Sequence, residues 1–408
     1  MSSLQFTIDA KFARAVAATQ RLKQKPRQSR AVTAVCRAVD FLARGLFYAW
    51  RNRRYLTTIK LLNMAIVNIQ FWLKTERVVG RPYNMKIEST NICNTKCQLC
   101  PTGLGIQGRP KGKMSLEQFK GLIDGMRHTL FGLDLSMWGD PLIVPDIYKM
   151  IRHAHDRGVW TYISSNLHAF KLGKGQAEQI VNSGLDMLTC SLHGATQETY
   201  ELYQPGKKLD ESIAKVKEIV ETRNRMGSST PAIQLNFVVT RHNEHEKKAF
   251  TQLAESLGCK PVFSTASLNI RFQDKDQKLQ PLGLAPDLQK KKIKEHIDYW
   301  LPKDKDFALP QYEELLKTGD LKNGDYNGNK PMNCSWPWRS SVINWDGEVS
   351  TCCGSFEQSE DMGNVFEHSF GKVWNGKKYR SARRSFKKRI SDADAEDNPC
   401  ANCPGFML

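Results

Sequence analysis

Three cysteines within eight residues, Cys93-Asn-Thr-Lys-Cys97-Gln-Leu-Cys100, constrain this chain more than any other feature. They follow directly on Met85–Thr90, a stretch of strand character, so the loop that carries them opens at a strand end. Three thiolates on so short a loop can converge on one metal centre. Structural zinc takes four closed ligands, and no fourth cysteine lies nearby; three leave one coordination position open to an exogenous ligand. Zinc modules also use this spacing, so spacing alone does not single out the metal. The chain holds eleven cysteines, at 36, 93, 97, 100, 190, 259, 334, 352, 353, 400 and 403. Its first twenty residues include Asp9, Lys11 and Arg14 and no apolar leader. A reducing, cytoplasmic compartment is therefore expected, where clustered cysteines bind metal or do redox chemistry rather than bridge.

The 408 residues, 40% hydrophobic and 25% charged, suffice for two or three globular domains and exclude collagen-like, mucin-like and wholly disordered classes. The longest apolar stretch, Leu61–Leu73, is interrupted by Asn63, Asn68 and Gln70, which argues against a membrane-spanning helix. From about residue 84, strands alternate with helices. Strands are expected at Met85–Thr90, Leu133–Met137, Trp160–Ser164, Met187–Ser191, Ile233–Thr240 and Pro261–Ala266. Ser115 and Gln118 form a capping box ahead of a Leu116, Phe119, Leu122, Ile123, Met126 stripe. Further helices are expected at Asp146–Arg157, Lys174–Ser183, Asp210–Met226 and Glu244–Ser256. Six strand–helix units predict an α/β fold, a partial (β/α)6 TIM-like barrel with its chemistry at the C-terminal strand ends.

The core barrel is expected over 81–270. Residues 271–333 are polar, with one helix near Asp287–Leu301, and read as a bridge. Residues 334–408 carry five cysteines and short strands at Ser341–Trp345 and Glu348–Thr351 around the Asp346-Gly347 turn. Their apolar content is low enough to suggest a metal staple. Cys190 and Cys259 read as core thiols, and Asn243 and Glu246 as a helix start.

With its strand and the stretches that follow, the three-cysteine loop resembles the radical S-adenosylmethionine (radical SAM) superfamily, over roughly residues 84–266. The resemblance implies that Cys93, Cys97 and Cys100 ligate a 4Fe–4S cluster whose open iron takes S-adenosyl-L-methionine. Reductive cleavage then yields a 5′-deoxyadenosyl radical that abstracts a substrate hydrogen. Trp138-Gly139-Asp140-Pro141 is similar to the superfamily's Gly-Gly-Glu-Pro stretch, with Trp138 for the first glycine and Asp140 for the glutamate. The resemblance assigns cofactor contacts to Gly139, Asp140 and Pro141, to Ser165 and Asn166, to Ser191, and to Leu99, which stands where an aromatic is common. His193 occupies a position where many relatives carry aspartate.

Cys334-x12-Gly347-x4-Cys352, then Cys400-x2-Cys403, resembles the auxiliary-cluster domains called SPASM and, in their shortened form, Twitch. It implies one auxiliary 4Fe–4S cluster held by Cys334, Cys352, Cys400 and Cys403, with Cys353 as the alternative to its neighbour. Four zinc-binding cysteines fit the same count. A fully cysteine-ligated cluster offers no open position, so its role is electron transfer, which points to net substrate oxidation. The layout is similar to that of a radical dehydrogenase of an aminocyclitol alcohol; other relatives with such tails mature peptides by crosslinking or thioether formation. Implied partners are a small-molecule, sugar, cyclitol or lipid-linked substrate or a peptide, and a reducing donor such as flavodoxin or ferredoxin. No residue is assigned as catalytic acid or base; His193, Arg241 and His242 lie near strand ends.

The net charge of +18 is lopsided: residues 1–80 hold fifteen Lys and Arg against Asp9, Asp40 and Glu76. Ala31–Trp50 and Tyr55–Leu73 have apolar residues at helical spacing. This extension reads either as helices packed on the main domain with a solvated basic face, or as a peripheral contact with an anionic membrane. A zinc-dependent nucleic-acid-binding protein with a basic arm is the reading of another class. The missing fourth ligand and the regular strand–helix alternation disfavour it. A non-catalytic member using its clusters structurally is disfavoured by the intact loop.

Overall fold

The computed structural model describes residues 53–105, 108–268, 286–309, 312–313, 316–317, 334–355, 357–387 and 398–400. The expected helix Ala31–Trp50 and the ligand Cys403 lie outside them. The chain divides into residues 1–61 and 62–408. Of the first unit, only the turn Arg53–Tyr55 and the opening residues of the helix Thr58–Trp72 are described.

Six parallel strands run side by side in chain order: β1 (Asn84–Ile87), β2 (Gly132–Asp134), β3 (Trp160–Ser165), β4 (Met187–Ser191), β5 (Ala232–Val239) and β6 (Lys260–Thr265). This is the expected α/β partial barrel. Alternate residues explain it. Met85, Ile87, Leu133, Ile163, Leu188, Ile233, Leu235 and Phe237 point one way and are buried against helix residues such as Phe119, Met150, Ile180, Val216 and Phe250. Each such side chain is worth about 1.5–3 kcal/mol of burial. Their neighbours in sequence point into the barrel. The capping box is present: Ser115 Oγ accepts the Gln118 N–H at 3.1 Å, and Gln118 Oε1 accepts the Ser115 N–H at 3.0 Å. It starts the helix Leu116–Met126, whose Phe119 and Ile123 are fully buried.

Two expectations change. The tail does not stand on a core of its own. β7 (Ser340–Ile343) pairs in parallel with β1, from Asn84↔Ser340 to Ile87↔Ile343, and β8 (Val349–Ser350) returns antiparallel, so the tail extends the barrel sheet. Gly347, at φ +86°, makes the turn between them; a side chain there would collide with the Phe366 ring. Trp338 and Trp374 are buried in the main core and donate to the carbonyls of Thr75 and Gly80, each at 3.0 Å.

The bridge is also more than a connection. From its helix Pro286–Trp300, Ile297 and Trp300 pack with Leu99, Tyr203 and Tyr312 in a second apolar cluster beside the cysteine loop.

The helix Thr58–Trp72 itself presents an apolar face rather than a basic one. Val67 and Phe71 join the core, while Leu62, Ile66, Ile69, Trp72 and Leu73 are exposed. Lys60, its one charged residue, is buried. No helix among the described residues is long and apolar enough to cross a membrane.

Candidate functional site

Cys93, Cys97 and Cys100 leave the C-terminal end of β1 half-buried. Thr95 Oγ1 lies 3.1 Å from Cys93 Sγ and 3.5 Å from Cys97 Sγ, and Asn166 Nδ2 lies 3.5 Å from Cys93 Sγ. Burial pushes the Cys97 thiol up to about 12 and raises Cys93 as well. Three soft sulfur donors fit iron, whose positive charge holds such sulfurs as thiolates against that burial. Among the described residues, no three His, Cys, Asp or Glu side chains close on a single-ion site.

The turn after β2 is bonded to this loop. Gly139 passes so close to it that a side chain would strike the carbonyl oxygens of Thr90 and Ile92, and the Asp140 N–H donates to Ile92 O at 3.0 Å. That close approach requires glycine at 139 and makes no such demand at Trp138. The Asp140 carboxylate is buried and fully engaged. It accepts from Leu142 N at 2.9 Å, Ser165 Oγ at 2.9 Å and Asn166 N at 2.8 Å. Burial raises its carboxyl above the usual range.

Asp140 and Ser165 therefore knot the turns after β2 and β3 together, with Pro141 buried at the start of the turn Pro141–Ile143. Asn166 reaches the cysteine loop through Asn94 Oδ1 at 3.1 Å and Thr95 Oγ1 at 3.3 Å. The Leu99 side chain is buried in the second apolar cluster. Ser191 lies on the barrel's inner face, with its hydroxyl 3.5 Å from Ser164 Oγ.

His193 is a structural histidine. Its Nδ1 accepts the Val238 N–H at 3.1 Å, its ring lies 4.4 Å from that of Tyr203, and burial lowers it to about 3. Glu246 accepts from Ala195 N, Thr196 Oγ1 and Thr199 Oγ1 and ties down the start of the helix Gln197–Tyr203. Cys190 and Cys259 are buried in the core.

The inner face of the barrel is polar. Lys86 and Asp134 form an ion pair there. Ser136 Oγ accepts the Ser164 N–H at 2.5 Å, Gln234 Nε2 donates to Thr189 Oγ1 at 2.7 Å, and Ser264 Oγ donates to Asn236 Oδ1 at 2.6 Å. A cavity of about 400 Å³ opens at the other end of these strands, with Lys86, Asp134, Trp160, Tyr162, Met187 and Gln234 in its wall.

Two groups that sequence reasoning missed link the cysteine loop to the tail. Arg109 is buried; it pairs with Asp361, donates to Glu357 O at 3.3 Å and lies 3.8 Å from Asp346. Trp345 Nε1 donates to Pro110 O at 3.2 Å beside it. Glu88, directly after β1, is fully buried, and its Oε1 accepts the Trp138 N–H at 3.3 Å. Burial pushes it up to about 7, with backbone N–H groups of Trp138 and Trp345 and the Arg109 charge pulling down. A charged residue inside a strand-end Glu-Ser-Thr run was the available signal for Glu88. Nothing local marked Arg109.

In the tail, Cys352 and Cys400 both lie within electrostatic reach of buried Tyr379, and Cys334 within reach of Lys74. Cys353 instead faces the Lys86–Asp134 pair, and burial raises its thiol. Arg383 is completely buried. Its Nε donates to Pro337 O at 2.9 Å and one terminal nitrogen to Glu76 O at 3.0 Å; the other has no hydrogen-bond partner. The guanidinium lies 4.4 Å from the Trp374 ring and 5.2 Å from the Tyr379 ring.

A parallel partial barrel with three thiols at the end of its first strand, and a cysteine-bearing hairpin on the same sheet, is the arrangement that the resemblance to AdoMet-radical iron–sulfur enzymes implies. The chain belongs to the radical SAM superfamily and carries a SPASM domain: residues 87–248 match the superfamily and 334–404 the iron–sulfur cluster-binding domain. Together these require 4Fe–4S clusters and S-adenosyl-L-methionine. A probable GTP 3′,8-cyclase of Saccharolobus islandicus is 25% identical over 222 residues, 54% of this chain. That match spans 63% of the cyclase, less than two thirds of its length. An AdoMet-dependent heme synthase of Oleidesulfovibrio alaskensis is 24% identical over 334 residues, 78% of each chain. Streptococcus suis SuiB bound to S-adenosylmethionine aligns over 97% of this chain and 83% of its own, with TM-score 0.54 at 13% identity, a likeness of fold alone.

Proposed function

We propose that the chain oxidises a small polar substrate, a sugar, cyclitol or lipid-linked derivative, seated against the inner face of the barrel. The observation that carries this reading is the row of hydrogen-bonding side chains towards the C-terminal ends of its strands: Ser136, Ser164, Ser191 and Asn236. Such a lining suits a polyhydroxylated molecule, whose hydroxyls exchange water for fixed donors and acceptors. When bound, the cluster on Cys93, Cys97 and Cys100 and its S-adenosyl-L-methionine supply the radical that takes the substrate hydrogen atom. This chain's residues shape the place where that happens. Gly139 and Pro141 offer backbone, Ser191 a hydroxyl, and the Asp140–Ser165–Asn166 knot holds the loop against them.

Cys334, Cys352, Cys400 and Cys403 are the proposed ligands of the auxiliary cluster, which when bound would supply an acceptor for the second electron of the oxidation as a proton leaves the substrate. Cys352 is preferred to Cys353 because it shares Tyr379 with Cys400. Flavodoxin or ferredoxin is the proposed donor of the priming electron. Residues 81–270, 271–333 and 334–408 are proposed as core, bridge and auxiliary domain.

The test is anaerobic incubation of reconstituted protein with S-adenosyl-L-methionine, reductant, and panels of deuterated sugars, cyclitols, lipid-linked sugars, GTP and peptides. The reading expects a product two mass units lighter, with deuterium in 5′-deoxyadenosine. Deuterium transfer only from a peptide would move the assignment to peptide crosslinking.

A further inference from the structure

We propose that Arg383 is the fixed counter-charge of the auxiliary cluster and raises its reduction potential. This rests on the auxiliary cluster proposed above. A guanidinium with no exposed surface is costly unless an anion compensates it. Arg383 has two carbonyls, two aromatic faces and an unpartnered nitrogen, but among the described residues no carboxylate pairs with it; the described anion-forming groups beside it are Tyr379 and Cys400, whose N–H donates at 3.0 Å to Asn398 Oδ1, while Asn398 Nδ2 donates at 2.9 Å to Ser381 Oγ on the helix of Arg383. The Tyr379 hydroxyl is hydrogen-bonded with Ser341 Oγ at 2.6 Å and is buried, so it stays neutral. A cluster held by four thiolates is anionic, and more so when reduced. The anionic cluster compensates Arg383, and the guanidinium beside one of its ligands favours the reduced form.

The test uses the full chain, reconstituted, with iron counted and the auxiliary signal titrated by potentiometric EPR in a Cys93/Cys97/Cys100→Ala background that silences the first cluster. Arg383→Met is expected to shift the one-electron equilibrium at least tenfold toward the oxidised form, about 59 mV, with Arg383→Lys near the parent value. Loss of auxiliary iron in Arg383→Met with retention in Arg383→Lys also supports the charge. An unchanged potential in Arg383→Met, or iron loss in both variants, overturns it. Parent protein without auxiliary iron would instead sink the cluster assignment itself.

The helix Thr58–Trp72 turns an apolar face to water. Leu62, Ile66, Ile69 and Leu73 form one stripe along its exposed side, with Trp72 79% exposed at the rim. A water-facing helix side normally carries charge, and this one carries none. We infer that this face docks on an anionic lipid bilayer. Residues 1–57, which precede it, hold twelve Lys and Arg against Asp9 and Asp40. A second copy would bring the same surplus against itself, whereas acidic headgroups complement it.

Full-length protein is expected to pellet with vesicles of phosphatidylglycerol and phosphatidylcholine but not with phosphatidylcholine alone. Ile66→Glu/Ile69→Glu should weaken this at least tenfold with melting temperature unchanged. Pelleting that the double variant leaves intact overturns the proposal. A dimer that the variant dissociates assigns the face to a second copy, and a lowered melting temperature assigns it to the chain's own N-terminal residues; either outcome also overturns it.

Discussion

Cys93, Cys97 and Cys100 need one loop to bring them together, whereas Cys334, Cys352 and Cys400 are spread over the tail and depend on a hairpin, two tryptophans and a buried arginine. The first set is local in sequence and lightly supported, by Thr95, Asn166 and the knot around Asp140. The second is assembled by long-range packing on the main core. A local set should survive damage elsewhere, while a set gathered by tertiary contacts should fail with its scaffold. Arg109 is where the two meet, because it holds the segment after the first loop against Asp361 of the tail.

The sharpest break in this comparison is Cys93/Cys97/Cys100→Ala. After anaerobic reconstitution, iron should fall from about eight to about four per chain, and cleavage of S-adenosyl-L-methionine to background. Zinc with little iron in the parent would end the radical reading. Cys352→Ala comes next: about four iron should go, with uncoupled cleavage to 5′-deoxyadenosine retained and substrate oxidation lost. Cys353→Ala should keep its iron, and the reverse pattern would exchange the two ligands. Arg109→Ala should cost about 3–5 kcal/mol in denaturant unfolding, because it strands a buried carboxylate. Arg109→Lys should recover part of that, and a loss under 1 kcal/mol would show the two sets to be independent.

The smallest effect is Glu88→Gln, which keeps the acceptor for the Trp138 N–H. Glu88 is held near 7, above its ordinary 4.5, so its carboxyl favours folding below about 4.5 and loses that advantage as pH rises through 7. The melting temperature of the variant relative to the parent should climb between those values and level off above. A flat difference would mean that Arg109 compensates the charge.

The barrel was legible because its periodicity is. Met187–Ser191 is found as expected, and β3, β5 and β6 lie within a residue of it, since each outward residue must be apolar to meet a helix. β1 and β2 end early. Glu88 N still donates to Ile343 O at 2.8 Å, but Ser89 and Thr90 turn away into the cysteine loop. Gly139 was legible as part of a turn; its reason, the backbone of Thr90 and Ile92, was not. Asp140 and Ser165 were singled out in the sequence, but their bond to each other was not legible, because alternation reveals a face and not a partner.

By itself the sequence determined the chemistry that one loop can hold and the order of the strands. Both are set by residues close enough along the chain to act on one another through spacing and alternation alone. The tertiary structure joined β7 to β1 and buried Arg109 and Arg383. It also left an apolar helix face in water. Each of these depends on burial and on partners hundreds of residues away: the cost of a buried charge or an exposed leucine is set by what surrounds it, and no local pattern records that.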